Sequence, residues 1–341
     1  MFRNIRQIMF IMIMLGGCLN AFAQDDPIKV ELQLNKKEYI CGEPILLKTI
    51  VTNTSGSACV LSEAGYEWGP GSFTMSIAYD KDDFVDIFSF KARGTATAGS
   101  DRLGVIAHSG VYERGDGDKS YFSSSLKGNQ RVERVDMICL PRAGDYKIKS
   151  VLIDLAKKVK TYESEPISFK VLSLSQKPDS ISILGDPNLI ALKLGKTILS
   201  AHFSRGEGYA YGPMPSDPIG PAAFEKIAPE IIEKHKDSVF REYILYADIV
   251  GHGNNNAFRS LPEKYKERAF QFEKEYPNSW LLPQVLDKIT NTYIAEKNRE
   301  KAEEYKQKAL KLAPNDRGLT RLRQMDLDLR LPKSNDPNSN K

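Results

Sequence analysis

The sequence predicts a multidomain chain, all-β in its first half and all-α in its second. Three observations carry that reading. Between about residues 28 and 173, apolar residues recur at period two between turn clusters, with no segment of helical period. After Pro221 the apolar spacing changes to that of amphipathic helices and continues to about Leu312. Between the two lies a stretch, 204–221, too dense in glycine and proline to be a helix or a central strand. We place the boundaries at 1–23 for a signal peptide, 24–175 for an antiparallel β-sandwich, 176–221 for a linker with its Gly/Pro-rich loop, 222–331 for a helical domain and 332–341 for a disordered tail. About 318 residues beyond the leader suit two domains of ordinary size.

Taken in order, 29–34 alternates polar and apolar residues, and 36–41 reads as a turn. Over 44–53, Ile45, Leu47, Thr49 and Val51 share one side of a strand. Asn53-Thr54-Ser55-Gly56 is a turn cluster. Further strands are expected at 58–61, 73–79, 84–90, 102–108, 131–140, 145–153 and 166–172. Many short strands joined by turns favour an antiparallel sandwich over a βαβ fold. The interval 65–129 is long and rich in glycine, and reads as an insertion of the kind in which binding loops are placed. Helices are expected over 188–203, 222–235 and 237–250. The next starts at a capping box of Ser260 and Glu263 with Pro262 in its first turn. Two more are expected, one capped by Ser279 and running through Ala295, the other over 299–312.

Two short resemblances refine this layout. Tyr39-Ile40-Cys41-Gly42-Glu43-Pro44-Ile45, Val51-Thr52-Asn53-Thr54-Ser55 and Ala143-Gly144-Asp145-Tyr146 resemble segments of bacterial immunoglobulin-like domains of exported proteins. That resemblance implies a sandwich fold and no particular function. Residues 283–316 resemble a single tetratricopeptide repeat: Leu286, Ile289 and Tyr293 occupy the first-helix positions, Ala302 and Ala309 the small positions of the second helix, and Pro314 the terminating proline. Thr290 and Lys306 depart from the pattern, with Tyr305 one residue early. Tyr265 to Pro277 is similar to the second helix of a preceding repeat. The resemblance implies protein–protein contact through a concave helical surface.

The leader has a basic start (Arg3, Arg6), a short apolar run and Ala21-Phe22-Ala23 before Gln24, the order of a secretory signal. Its apolar run is too short to span a bilayer. Leu15-Gly16-Gly17-Cys18 also resembles a lipobox, so two fates are expected: cleavage after Ala23, giving a periplasmic or secreted protein, or lipidation of Cys18, giving an outer-membrane lipoprotein whose acyl chains are its sole membrane contact. Either fate leaves Cys41, Cys59 and Cys139, an odd number for an oxidising compartment. One disulfide with one thiol, or three buried thiols, would satisfy the count. Cys41 with Cys139 is the pair to test first.

Composition excludes some partners. With 48 basic and 44 acidic residues, and two of the basic ones in the leader, the chain lacks the concentrated positive face that nucleic acid requires. The four histidines, His108, His202, His235 and His252, lie in no metal-binding spacing, and the cysteine spacings do not suit zinc. The acidic turn Asp80 to Asp83 lacks the other ligands of a calcium loop. There is no nucleophile elbow and no phosphate-binding loop. No catalytic, cofactor or metal residue is therefore assigned. Tyr209 and Tyr211, in the Gly/Pro-rich loop, are candidates for partner contact. These features lead us to expect an exported non-catalytic binding or assembly protein of the bacterial cell envelope, acting on unidentified envelope proteins. The alternative is an envelope hydrolase with its site in the 65–129 insertion or the 204–221 loop.

Overall fold

The computed structural model describes residues 27–60, 73–86, 88–91, 95–98, 106–108, 125–154, 160–181, 191, 193–195, 197–198, 221–251 and 261–327. The leader with Cys18, most of the 65–129 insertion, Tyr209 and Tyr211, His202, His252 and the 332–341 tail lie outside these residues.

An N-terminal sheet region is followed by a C-terminal helical region. The strands are β1 (Ile28–Leu34), β2 (Glu38–Ile40), β3 (Pro44–Asn53), β4 (Cys59–Val60), β5 (Phe73–Tyr79), β6 (Val85–Asp86), β7 (Phe88–Lys91), β8 (Thr95–Ala98), β9 (Ile106–His108), β10 (Ser125–Leu126), β11 (Arg131–Cys139), β12 (Gly144–Asp154), β13 (Lys160–Glu163) and β14 (Ile167–Leu172). One sheet has the order β1-β3-β11-β9. A second runs β2-β14-β12-β5-β6, with β13 also on β12. Leu32, Ile45, Leu47 and Ile138 of the first sheet meet Met75, Ile77, Ile148 and Phe169 of the second in one apolar cluster. Burying such side chains between layers stabilises each by roughly 1.5–3 kcal/mol.

The segment expected as a turn at 36–41 contains a strand instead. β2 pairs with β14 in parallel, Glu38 to Ile40 against Lys170 to Leu172, a departure from the all-antiparallel expectation. Tyr39 is fully buried there, and its hydroxyl donates to Asn35 Oδ1 at 2.8 Å. Asn53, also fully buried, holds the turn after β3: its amide donates to Ser57 O at 2.8 Å and its Oδ1 accepts from Ser55 N at 3.0 Å. Near the start of β12, Tyr146 reaches back to donate to Arg142 O at 2.9 Å.

The helices are α1 (Pro221–Lys234), α2 (Arg241–Gly251), α3 (Glu263–Glu275), α4 (Leu282–Ala295), α5 (Arg299–Leu312) and the short α6 (Thr320–Gln324). The caps differ from expectation. Pro262 is the cap residue of α3, Ser260 lying outside the described residues, and Leu281, not Ser279, is that of α4. Ser279 accepts from Leu281 N at 3.1 Å and donates to Glu242 of α2 at 2.6 Å, so its hydroxyl ties two helices together.

The sheet and the helices are not separate bodies. β3 is buried along both faces. Ile45 and Leu47 face the second sheet, while Leu46, with Met137 and Cys139 of β11, belongs to the cluster formed by the helices. Residues of the expected linker enter the same cluster: Ile181, Ala191, Leu194 and Ile198. A Cβ on Gly195 would lie 2.2 Å from Gly42 O and 2.7 Å from Cys139 Sγ. Only glycine permits so close an approach of this segment to the β2–β3 turn.

Candidate functional site

Within the helical region, α2 and α4 bury almost their whole length, whereas α3 and α5 bury only Ala269 with Phe272 and Ala302 with Ala309. The two alanines of α5 are fully buried, as is Thr290 of α4. A methyl side chain at both α5 positions lets the α4–α5 hairpin close. Tyr293 stacks on Tyr305 with ring centroids 5.5 Å apart, and Tyr305 leans on Phe270 of α3 at 6.1 Å. Tyr305, one residue early for the repeat pattern, thus fills the gap between the pairs. Lys306 instead donates to Met325 O at 2.9 Å.

The inner side of these pairs is where the repeat resemblance implies a partner. Here the chain's own first sheet covers it. Asn35 Nδ2 donates to Tyr243 Oη of α2 at 3.1 Å. Lys48 of β3 sits 4.5 Å above the Trp280 ring at the start of α4. Glu133 N of β11 donates to Asn315 O at 2.9 Å, extending into a short parallel bridge between Glu133 and Asp316. The buried sides of α2 and α4 thus pack against the sheet.

The outward side remains. α3 and α5 carry interspersed charges, with Lys308 paired to Glu304 at 3.0 Å and to Glu273 at 3.4 Å, and Lys266 to Glu296 at 2.9 Å. Beside the first half of α5 a cleft of about 480 Å³ opens between that helix and the end of α6 with the segment after it, lined by Arg299, Glu303, Lys306, Arg323, Asp326 and Met325 among others. Arg323 donates to Pro314 O at 3.0 Å.

Buried ionisable groups occur elsewhere, each in a structural bond. Glu43 accepts from Ile40 N at 2.9 Å and from Lys36 Nζ at 2.6 Å, and burial pushes its carboxyl above the ordinary glutamate range against the opposing pull of Lys36. Asp136 lies in the first sheet with Arg134 Nε on it at 2.8 Å, and burial again raises it. Arg241 of α2 holds Glu275 and donates to Tyr276 Oη at 2.9 Å and Ile232 O at 2.8 Å. The hydrogen bond from Arg241 holds the Glu275 carboxyl below its usual value. Burial drives the Tyr243 hydroxyl well above its ordinary range.

Cys41 and Cys139 are not linked to each other. Both thiols are free and buried, Cys41 in the cluster between the sheets and Cys139 in the cluster under the helices. Cys139 donates to Gly42 O at 3.3 Å, and burial raises the Cys41 thiol. His235 is buried in the turn after α1, where its carbonyl accepts from Ser238 N at 3.0 Å. His108 lies in β9 opposite Met137. Asp80 to Asp83 form an exposed turn with Asp80 at positive φ. Among the described residues no group of three or more histidine, cysteine or acidic side chains could hold a metal ion. Nor is any helix among them long and apolar enough to cross a membrane.

No family model matches this chain, and neither does any curated protein. Solved structures give weak overlaps. Spo0M, a sporulation control protein from Bacillus subtilis, is 10% identical, with 52% of this chain and 55% of that chain covered at a TM-score of 0.25. The bacterial superantigen toxic shock syndrome toxin-1 is 8% identical over 42% of this chain and 99% of that one, at 0.23. A Salmonella alpha-2-macroglobulin is 10% identical over 85% of this chain and 21% of that one, at 0.23. This chain thus spans about half of the first and a fifth of the third. Overlaps at these scores carry no argument about function.

Proposed function

We propose that this chain is an exported, non-catalytic binding or assembly protein of the bacterial cell envelope, acting through protein–protein contacts. The N-terminal region is read as an immunoglobulin-like sandwich, supported by its two facing sheets and the Tyr146–Arg142 corner. The C-terminal region is read as tetratricopeptide-like, supported by the alanine-lined α4–α5 hairpin and its Tyr293–Tyr305 wedge. The observation that carries the functional reading is the way the helices are held. Their buried side is packed on the sheet, so α3, α5 and the Arg299–Arg323 cleft are turned outward. Export is supported by the leader, which ends either at Ala23 or at a lipidated Cys18.

Affinity capture from envelope extracts tests this, with the processed wild type compared with a variant carrying Lys301→Glu and Lys308→Glu on α5. An envelope protein retained by the wild type and lost from a variant that melts normally supports the reading. Equal retention by both, or none by either, contradicts it. Intact mass of the processed N-terminus tests export separately, since an unprocessed Met1 contradicts both fates.

A further inference from the structure

We propose that this protein forms a two-fold dimer by antiparallel pairing of the free edge of β1 with β1 of a second copy. β1 is the outer strand of its sheet, and among the described residues its one partner is β3. The phase of that ladder is fixed at both ends. Thr54 N donates to Pro27 O at 2.6 Å and Asn35 N to Leu46 O at 3.4 Å, and both couples continue the register in which Val30 faces Val51. Odd-numbered residues of β1 therefore turn their backbone groups toward β3. The N–H and C=O groups of Ile28, Val30 and Leu32 point the other way, a row of donors and acceptors available to another chain.

The side chains then select the partner. In an antiparallel pair, two-fold symmetry about Val30 sets Val30 against Val30, Ile28 against Leu32 and Lys29 against Glu31 of the second copy. The three even-numbered positions fall at hydrogen-bonded sites, which gives six interchain backbone bonds. The Lys29–Glu31 couples fall at the intervening sites, where side chains approach most closely. The apolar row Ile28, Val30 and Leu32 is buried on the inner face of the sheet and continues into the same row of the second copy. Lys29 and Glu31 lie on the other face and already form an ion pair within the strand. Moving the centre to Lys29 or to Glu31 would set like charges opposite each other, which is unfavourable. The strand is thus self-complementary in the register centred on Val30, which alone of these three sets Lys29 against Glu31, and a self-complementary patch closes as a two-fold dimer. This inference does not depend on the envelope reading above.

Analytical ultracentrifugation of the processed full chain up to about 100 μM tests it, since a seam of one strand pair gives a weak association. The wild type should sediment as a concentration-dependent dimer. Glu31→Lys and Lys29→Glu should each weaken it by about tenfold, because each turns two attractive couples repulsive. The double variant Lys29→Glu with Glu31→Lys should return to within about threefold of wild type. Val30→Pro removes an N–H that β3 does not use and should abolish the dimer. Melting curves separate these effects from unfolding. A wild type that stays monomeric overturns the proposal, leaving Lys29 as a guard of a solvent-facing edge. So does a dimer that the charge variants leave unchanged.

Discussion

Tyr243, fully buried on the second helix, accepts a hydrogen bond from Asn35, 208 residues earlier in the turn that follows the first strand. The bond is 3.1 Å long. The same asparagine accepts from Tyr39 Oη at 2.8 Å and from Leu46 N at 3.3 Å. One side chain thus organises the turn, the start of β3 and the seat of α2. Tyr243→Phe would leave the Asn35 amide without its acceptor under α2. We expect a loss of about 1–2 kcal/mol in urea unfolding. A control, Tyr79→Phe, breaks a part-buried 3.2 Å bond to Ala143 O at the far side of the second sheet and should cost about 1 kcal/mol or less.

Gly195 tests the same joint by sterics. Its missing Cβ is what admits the Gly42 carbonyl, a backbone atom that cannot swing aside. Gly195→Ala should lower the unfolding free energy by about 1–3 kcal/mol, as overpacking does. In an ordinary exposed helix the same change would be stabilising, so a rise in the melting temperature would show that the close approach is wrong.

Ala302 and Ala309 test the hairpin. Both are fully buried on α5, the helix that packs against α4. Ala302→Arg inserts a long cation where a methyl fits, and should cost at least about 3 kcal/mol. Lys301→Arg, one residue away on the exposed side, should fall within about 0.5 kcal/mol of wild type. An unchanged melt for Ala302→Arg would remove the basis for the repeat-like reading.

Glu43 gives a pH dependence with a definite sign. Burial raises its folded-state value above the ordinary 4.5, so the folded protein holds this proton more tightly than the unfolded chain. The contribution of the group is fully present below the ordinary value and is lost as pH rises through the raised one. In Glu43→Gln that slope is missing. The stability of the wild type relative to the variant should therefore fall as pH rises from about 4, as read by urea midpoints at several pH values. A difference that grows with pH would mean that the Lys36 and Ile40 contacts outweigh the burial.

Much of this architecture was legible from periodicity. Alternation located β1, β3, β5, β11, β12 and β14, and helical spacing located α1 to α5, because those elements bury one face and the pattern records it. β2 was missed because three residues are too few to show a period. Its backbone groups are satisfied by β14, more than a hundred residues away. The strand in 44–53 held a further signal: Ile45-Leu46-Leu47 and Ile50-Val51 leave almost no polar side, as in a strand covered on both faces. Reading only its alternate residues suggested one covered face. That is why the shared sheet–helix core was not foreseen. Likewise, lying beside probable strands made Cys41 and Cys139 the pair to test first, without saying that one belongs to the cluster between the sheets and the other to the cluster under the helices. The charged cleft at Arg299 and Arg323 had no signal at all, since it depends on how the chain turns back after Pro314.

The central claim is that sheet and helices share one core and stand or fall together. Hydrogen-exchange mass spectrometry across a urea series measures this most directly, by following peptides of β3 and β11 alongside peptides of α2 and α4. The shared core predicts that all four lose protection at one urea concentration, in a single cooperative transition. Loss of protection in α2 and α4 at a lower concentration, with β3 and β11 still protected, would contradict it and restore two independent domains.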